Sequence, residues 1–458
     1  MNVERLRADF PALTSARGRP VPVYLDSACM SLVPRPVLSA MEEYYRDYPG
    51  CAGRSLHRFA EEVGRRYEDA RAAFARFFGR KDPRGVVFVR NATEAINLVG
   101  EGFPWRRGDR VLISDREHNS NLIVWQRLAA ERGIRVEILT LPDDGGFDAE
   151  DLERHLARKV RLVSLFHTSN LDGRSLPLRE IVERAHDRHA AVLVDGCQAA
   201  PHEKVDVERL GVDFYAVSGH KMLGPTGTGV LVSTADALRR LRPLVVGGET
   251  VEWSTLESHE LRPPPYRFEA GLQNYAGILG ARAAIDYLSA VGWDTIQDRQ
   301  RSLNERVTAA FVGEPRLHVL GPTDPRERPS IFAFTLDGVD PNDAALFLDE
   351  GYRVMVRSGM HCVHSFYARR GLSGNVRASF YLYNDRHDAD TLIRGLEELL
   401  ARVPGRPSTD TSAGRPATRL RRGSGRRRAA GSKGAAVRSA RLPRTAGPGR
   451  AASSEGSD

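Results

Sequence analysis

From residue 58 the chain carries Phe59, Val63, Tyr67, Ala70, Phe74 and Phe77 at steps of three or four residues, the apolar stripe of an amphipathic helix. Beyond it the pattern changes to short, nearly continuous apolar runs: VVFV (86–89), RVLIS (110–114), RLVSLF (161–166), AVLVD (191–195) and FYAVS (214–218). Helical segments such as NLIVWQRLAAERG and LREIVERAHDRH lie between most of them. Strands without polar alternation, separated by helices, predict an α/β fold whose mainly parallel sheet is covered on both faces. No repeat of fixed period interrupts this order.

Around residues 262–277 the text becomes RPPPYRFEAGLQNYAG, a proline run unsuited to helix or central strand, and the large domain is expected to end there. A long helix follows over 276–311, with a break at Gly292. Then SIFAFTL (330–336), RVMVRS (353–358), NVRASFYLYN (375–384) and a closing helix near 386–402 predict a smaller α+β domain. The expected division is an amino-terminal arm (1–20) joining the small domain, a large domain (21–270), a small domain (271–403) and a tail (404–458).

A chain of 458 residues, 41% of them hydrophobic, exceeds what one core usually fills, which agrees with two domains. No stretch approaches the roughly 18–20 uncharged apolar residues of a membrane span, and no targeting signal is read at the amino end, so a soluble, cytoplasmic protein is expected. The four cysteines (Cys29, Cys51, Cys197, Cys362) show no CxxC spacing, which argues against a disulfide framework or a four-cysteine metal site. The net charge of +8 belongs to the tail: residues 404–458 hold 13 Lys/Arg against 3 Asp/Glu. Rich in Gly, Ala, Ser, Pro and Arg, that segment is expected to be disordered and to offer at most a weak electrostatic hold on nucleic acid or acidic membranes.

In a parallel α/β sheet, ligands bind beyond the carboxyl ends of the strands. The polar residues found there are Asn91, Ala92 and Thr93, then Glu117 and His118, Asn170, Asp195 and Gln198, and finally Ser218, His220 and Lys221. The glycine-rich stretch SGHKMLGPTGTG (218–229) is not a Walker loop, because its lysine precedes the glycines. Each residue also has a plain alternative. Thr93 would cap a helix, His118 would pack in a loop, and Asp195, ending an apolar strand, would need a structural partner. Their combination suits a pyridoxal phosphate (PLP) enzyme, which needs a lysine for the aldehyde, an acid for the pyridinium nitrogen and donors for one phosphate. Lys221, Asp195 and the set Thr93, Ser218 and His220 supply those, and His118 offers a flat ring for the cofactor's face.

The order of YLDSA (24–28), RSLH (54–57), NATEAINLV, EHNSN, TSNLDG, VLVDGCQ, DFYAVSGHKMLGPTGTG, RFEAG, RSGMHC and VRASFYLYN resembles the class V aminotransferase superfamily, in particular the group II cysteine desulfurases and selenocysteine lyases. The resemblance spans about 20–402 and implies a PLP-dependent transferase of fold type I that works as a homodimer. It assigns Lys221 to carry the cofactor, Asp195 to the pyridine nitrogen, Gln198 to the phenolic oxygen and His118 to the ring face. Thr93, Ser218, His220 and the backbone of Ala92 are assigned to the phosphate. Arg377 is assigned to the substrate carboxylate, with Asn170 near it and Arg54, His57 and Arg357 also on the substrate side.

Cys362 decides the reaction that the resemblance implies. Arg357, His361 and His364 make its loop electropositive and favour thiolate, which would take sulfur from L-cysteine as a persulfide, release L-alanine and serve an unknown sulfur acceptor. A spare loop thiol, or metal binding by His361, Cys362 and His364, are the alternatives; no metal is expected. Cys29 and Cys51 read as unremarkable amino-terminal thiols and Cys197 as an apolar filler. The chain departs from the family at Asn119, Met360 and Leu272, and at CVHSFY after the cysteine; Gln273 is the candidate to replace the hydrogen bond that Leu272 lacks. Selenocysteine or other C–S lysis, transamination or epimerisation remain open on the same scaffold. So does a non-catalytic binding protein that uses the tail.

Overall fold

A computed structural model describes residues 3–14, 21–53 and 55–403. Arg54 and the basic tail therefore lie outside the described residues, as do residues 1–2 and 15–20 of the expected amino-terminal arm.

The apolar runs form a seven-stranded sheet: β1 (Val86–Val89), β2 (Arg110–Ser114), β3 (Arg135–Leu139), β4 (Val160–Phe166), β5 (Ala191–Asp195), β6 (Phe214–Ser218) and β7 (Gly229–Ser233). Their order is β1-β7-β6-β5-β4-β2-β3. All pairs are parallel except the two made by β7, which runs against β1 and β6. Alternate residues of these strands enter two separate cores. Val86, Leu112, Val163, Val194 and Val217 face one, and Val87, Ile113, Leu162, Leu193 and Ala216 face the other. Burial on both faces is why the runs show no polar alternation.

The stripe from residue 58 is the helix Arg58–Phe77, with Val63, Tyr67, Ala70 and Phe74 buried and Phe59 left exposed. The proline run contains a cis Pro264–Pro265 bond. After it come the helices Tyr275–Val291 and Trp293–Ala310, parted at Gly292, whose φ of 85° only glycine adopts readily.

A second, four-stranded antiparallel sheet follows: β8 (Leu317–Val319), β9 (Ile331–Leu336), β10 (Arg357–Gly359) and β11 (Asn375–Ser379), in the order β8-β9-β11-β10. The closing helix Arg386–Arg402 packs on it through Leu392, Leu396 and Leu399.

Two readings are corrected here, and one element was missed. RVMVRS is two elements, because Val354–Met355 pairs in parallel with Val23–Tyr24 and only Arg357–Gly359 joins the second sheet. NVRASFYLYN is a strand only to Ser379; Phe380–Tyr383 are fully buried outside any strand, so their apolarity reports burial rather than extension. A hairpin of Val251–Ser254 with His259–Leu261 had no apolar run to announce it and is largely exposed. At the amino end, Leu6 and Phe10 enter the first core and Arg7 pairs with Asp388 at 2.7 Å.

Candidate active site

The carboxyl ends of β1, β2, β4, β5 and β6 open into one cavity of about 230 Å³, closed on its other side by β10, the turn after it and β11. It is lined by Ala92, Thr93, His118, Asn170, Asp195, Gln198, Ser218, His220, Lys221, Arg357, Cys362 and Arg377. Cys29 and Cys197 line it too. His57 does not: it caps the helix Arg58–Phe77, accepting from the backbone NH of Ala60 at 3.3 Å.

Lys221 ends a tight turn, Gly219–Lys221, between β6 and the segment leading to β7. The glycine-rich stretch is thus a strand–turn–strand connection rather than a Walker loop. Gly219 is required by close approach, since a Cβ there would lie 2.2 Å from Thr228 Oγ1. The turn is held from outside by Ser31, whose backbone NH donates to the His220 carbonyl at 2.8 Å and whose hydroxyl accepts from Leu223 NH at 2.8 Å. The Lys221 amine has no hydrogen bond or ion pair among the described residues.

Asp195 ends β5. One carboxylate oxygen accepts the backbone NH of Cys197 at 3.1 Å, and the group makes no ion pair among the described residues. A buried carboxylate that faces a cavity and makes no ion pair among the described residues fits a ligand that brings positive charge. Behind it, Glu117 is fully buried and takes hydrogen bonds from Ser114 Oγ (2.6 Å), Asn121 Nδ2 (2.7 Å) and Phe166 NH (3.3 Å). Burial pushes its pKa up to about 8 despite those donors, with Asp195 adding to the rise. Gln198 donates to the Ala28 carbonyl at 2.7 Å, while its own Oε1 is buried without a partner.

The helix Ala92–Gly102 begins at the cavity. Its cap is Asn91, whose side chain accepts from Glu94 NH at 3.0 Å, so Thr93 is not consumed as a cap. Thr93 Oγ1 lies 2.7 Å from Ser120 Oγ, and Ser218 Oγ accepts the NH of Ala92 at 2.9 Å. Hydroxyls gathered on a helix amino terminus suit a phosphate. His118 Nδ1 accepts from Ser120 NH at 3.1 Å, which leaves the ring proton on Nε2. Burial first, then the charge of Lys221, lowers its pKa to about 4, and His220 falls to about 4 for the same two reasons. Both rings are neutral near pH 7.

Arg377, buried on β11, donates to the Asn170 carbonyl at 2.6 Å and approaches Asp26 at 3.5 Å, and its Nε has no partner. Cys362 follows β10 on a turn where His361 and Cys362 both adopt left-handed φ, 48° and 60°. Such backbone costs about 1–3 kcal/mol per residue unless the surroundings hold it. Three contacts do: Asn170 Nδ2 to the His361 carbonyl (2.8 Å), Asn119 NH to the Cys362 carbonyl (2.7 Å), and His361 Nε2 with Asn375 Oδ1. Asn119 also meets His364 through its side chain at 2.7 Å, so two positions where the sequence is unusual pair with each other. Met360 packs beside Leu171, Val363 and Phe366. With Nε2 of His361 turned to Asn375 and Nδ1 of His364 to Asn119, these rings do not converge on the thiol.

A profile of the family Aminotransferase class-V matches residues 23–392. The chain belongs to that family. Among class-V relatives, a probable cysteine desulfurase of Streptomyces coelicolor is 38% identical over 408 residues, covering 87% of this chain and 97% of the relative. The apo cysteine desulfurase of Thermococcus onnurineus superposes with a TM-score of 0.83 at 35% identity, over 88% of this chain and 99% of that one. A mutant of the protein C-DES with glycine covalently linked to its PLP cofactor superposes with a TM-score of 0.74 at 25% identity, over 85% and 98%. These class-V structures share the α/β architecture of fold type I described above.

The reading of Cys29 as an unremarkable amino-terminal thiol is corrected by its place in the cavity, where it contacts Arg357. Nothing in the text near residue 29 signals this, because the segment is brought to the cavity by long-range contacts, the pairing of Val23–Tyr24 with Val354–Met355 and the bridge of Asp26 to Ser379 among them. Glu117 was recognised as a strand-end residue, but its burial beneath Asp195 comes from the packing of β2 against β4.

Proposed function

We infer that the chain is a PLP-dependent cysteine desulfurase converting L-cysteine to L-alanine, with the sulfur held as a persulfide on Cys362. The observation that carries this reading is one cavity lined by Lys221, an Asp195 that makes no ion pair among the described residues, and the Cys362 thiol. Relatives named as cysteine desulfurases over nearly their full length support it.

Bound PLP supplies an electron sink for the carbanion left when the substrate Cα loses its proton. The chain does the rest. Asp195 would keep the pyridinium proton in place, and Gln198 would meet the phenolic oxygen. Thr93, Ser218, His220 and the NH groups of the helix start would hold the phosphate, and the neutral His118 would offer its flat ring to the cofactor. Lys221 would carry the cofactor and move the Cα proton on its Nζ. Arg377 receives the substrate carboxylate, with Asn170 fixing the guanidinium. Arg357 lies on the same side, and Arg54 and His57 are assigned there by family resemblance alone. The Cys362 thiolate bonds the substrate sulfur as the Cβ–S bond breaks; the bonding electrons stay on Cβ, which takes up a proton, and alanine leaves once Lys221 has returned a proton to Cα.

The protein works as a cytoplasmic homodimer and passes sulfur to a separate acceptor. Apolar side chains left exposed at Leu56, Phe59, Trp253, Leu256 and Leu272 support the dimer. Gln273 turns its amide back on its own turn, to the Gly271 carbonyl at 3.1 Å, so within one chain it does not take over the role that Leu272 lacks.

The test is alanine and sulfide production from L-cysteine by wild type, Lys221→Ala and Cys362→Ser. Loss of the visible cofactor band in Lys221→Ala, and loss of sulfur transfer in Cys362→Ser with the band retained, are the expected results. A Cys362→Ser protein that transfers sulfur at the wild-type rate refutes the reading.

A further inference from the structure

Three of the four cysteines line the active-site cavity: Cys29, Cys197 and Cys362. Cys197 is chemically quiet, because burial, followed by the charge of Asp195, pushes its thiol up to about 12. Cys29 is different. It is only half-buried, and its Sγ contacts the guanidinium of Arg357. Arg357 opens β10, the strand that leads directly into the turn bearing Cys362, so one short segment supplies both the cation at the first sulfur and the second sulfur itself.

The position of Cys29 is fixed rather than incidental. Its NH donates to the Asp26 carbonyl at 3.0 Å, and on the preceding residue Ala28 NH donates to Ser379 Oγ (2.9 Å) while the Ala28 carbonyl accepts from Gln198 (2.7 Å). A second, independent feature is a buried polar atom left unpartnered beside Cys362. His361, beside Cys362 and 3% exposed, lines the same cavity, and its Nδ1 has no partner. With Nε2 engaged by Asn375, that nitrogen is a buried acceptor without a hydrogen-bond partner among the described residues.

We propose that Cys29 is a second sulfur-carrying residue, which takes the terminal sulfur from the Cys362 persulfide and holds it in the cavity. This rests on the reading of Cys362 given above. The Cys29 thiolate attacks the outer sulfur of Cys362–S–SH; the bond from that sulfur to Cys362 Sγ breaks as the bond to Cys29 Sγ forms. Cys362 leaves as a thiolate and Cys29 becomes Cys29–S–SH. The negative charge passes from one sulfur to the other, the oxidation level is unchanged, and no outside oxidant or reductant is needed. Cys362 is then free to take a second sulfur while the first is still bound.

The experiment mixes PLP-loaded wild type, Cys29→Ala, Cys29→Ser and Cys362→Ser with L-cysteine in the absence of an acceptor. It counts alanine formed in the first burst, then alkylates and locates persulfides by peptide mass spectrometry. Wild type is expected to carry sulfane sulfur on both peptides and to give a burst about twofold that of either Cys29 variant, since exchange between two thiols stores one sulfur on each. Cys362→Ser is expected to carry none on Cys29. A persulfide on Cys362 alone, with equal bursts in wild type and the Cys29 variants, overturns the proposal while leaving the desulfurase reading standing. A Cys29–Cys362 disulfide, or sulfur on Cys29 in Cys362→Ser, also overturns it. Sulfur on neither cysteine overturns both.

Discussion

Asn170 braces Arg377: its backbone carbonyl accepts the guanidinium at 2.6 Å, while its side-chain amide reaches the other way and holds the His361 carbonyl at 2.8 Å. One residue thus touches both the proposed carboxylate-binding arginine and the strained turn that carries Cys362. Asn170→Ala keeps the backbone contact and removes the amide, which loosens the thiol and leaves the arginine in place. The expected outcome is a fall in kcat of about 10- to 100-fold with KM nearly unchanged, the size of effect that a small misplacement of a reacting group produces. Steady-state alanine formation across a cysteine titration reads this directly. A raised KM at constant kcat would show instead that the side chain acts through substrate binding.

Glu269 is a structural clamp at the far end of the large sheet. It takes both arms of Arg71 at 2.7 and 2.9 Å, the Tyr67 hydroxyl at 2.7 Å and the backbone NH of Phe88 at 2.8 Å, with Arg71 only 1% exposed. Glu269→Ala strands a buried guanidinium and is expected to cost about 3–5 kcal/mol in urea unfolding. Glu269→Leu combined with Arg71→Met removes both charges and is expected to recover most of that loss.

Glu117 gives stability a pH dependence of definite sign. Its pKa rises from an ordinary carboxylate value to about 8 on folding, mainly through burial. Between those limits the native state keeps a proton that the unfolded chain has released, so stability falls as pH rises from about 4.5 to about 8 and then levels off. Glu117→Gln, an uncharged isostere, is expected to remove this slope. Unfolding midpoints of the two proteins at pH 5 and pH 8 check it: the wild type should lose more over that interval than the variant.

The large sheet was legible because β1, β2, β4, β5 and β6 are buried on both faces and therefore read as unbroken apolar runs. Two of its strands were not. β3 is an edge strand whose Arg135 and Ile138 are exposed, and β7 begins inside the glycine-rich text after Lys221. Strand ends also exposed the cofactor side of the cavity, since Thr93, His118, Asp195, Ser218 and Lys221 each follow a readable run. What the sequence hid comes from long-range closure. Cys29 reaches the cavity through pairing between residues 23–24 and 354–355, and the left-handed turn at His361 and Cys362 depends on Asn119 and Asn170, far away in sequence. Arg357 and Cys362 were named from family resemblance, whereas the guanidinium–thiol contact that links Arg357 to Cys29 needed the fold.

The hairpin of Val251–Ser254 and His259–Leu261 is hard to account for within one chain. Two strands alone are marginally stable in water, and here five of the seven strand residues are exposed, with Trp253 on one strand and Leu256 fully exposed in the loop. Such a ribbon is expected to gain its stability by packing on a second copy, where Leu256 supplies an apolar anchor of the kind that dominates an interface. A charge at its centre should then act on association rather than on the fold of each chain. Leu256→Asp is expected to raise the dimer dissociation constant by at least about 30-fold, corresponding to roughly 2 kcal/mol. Sedimentation across a dilution series measures that shift, and far-ultraviolet circular dichroism of the same samples should stay unchanged. A variant that remains dimeric at the lowest concentrations where the wild type does would place the interface elsewhere on the molecule.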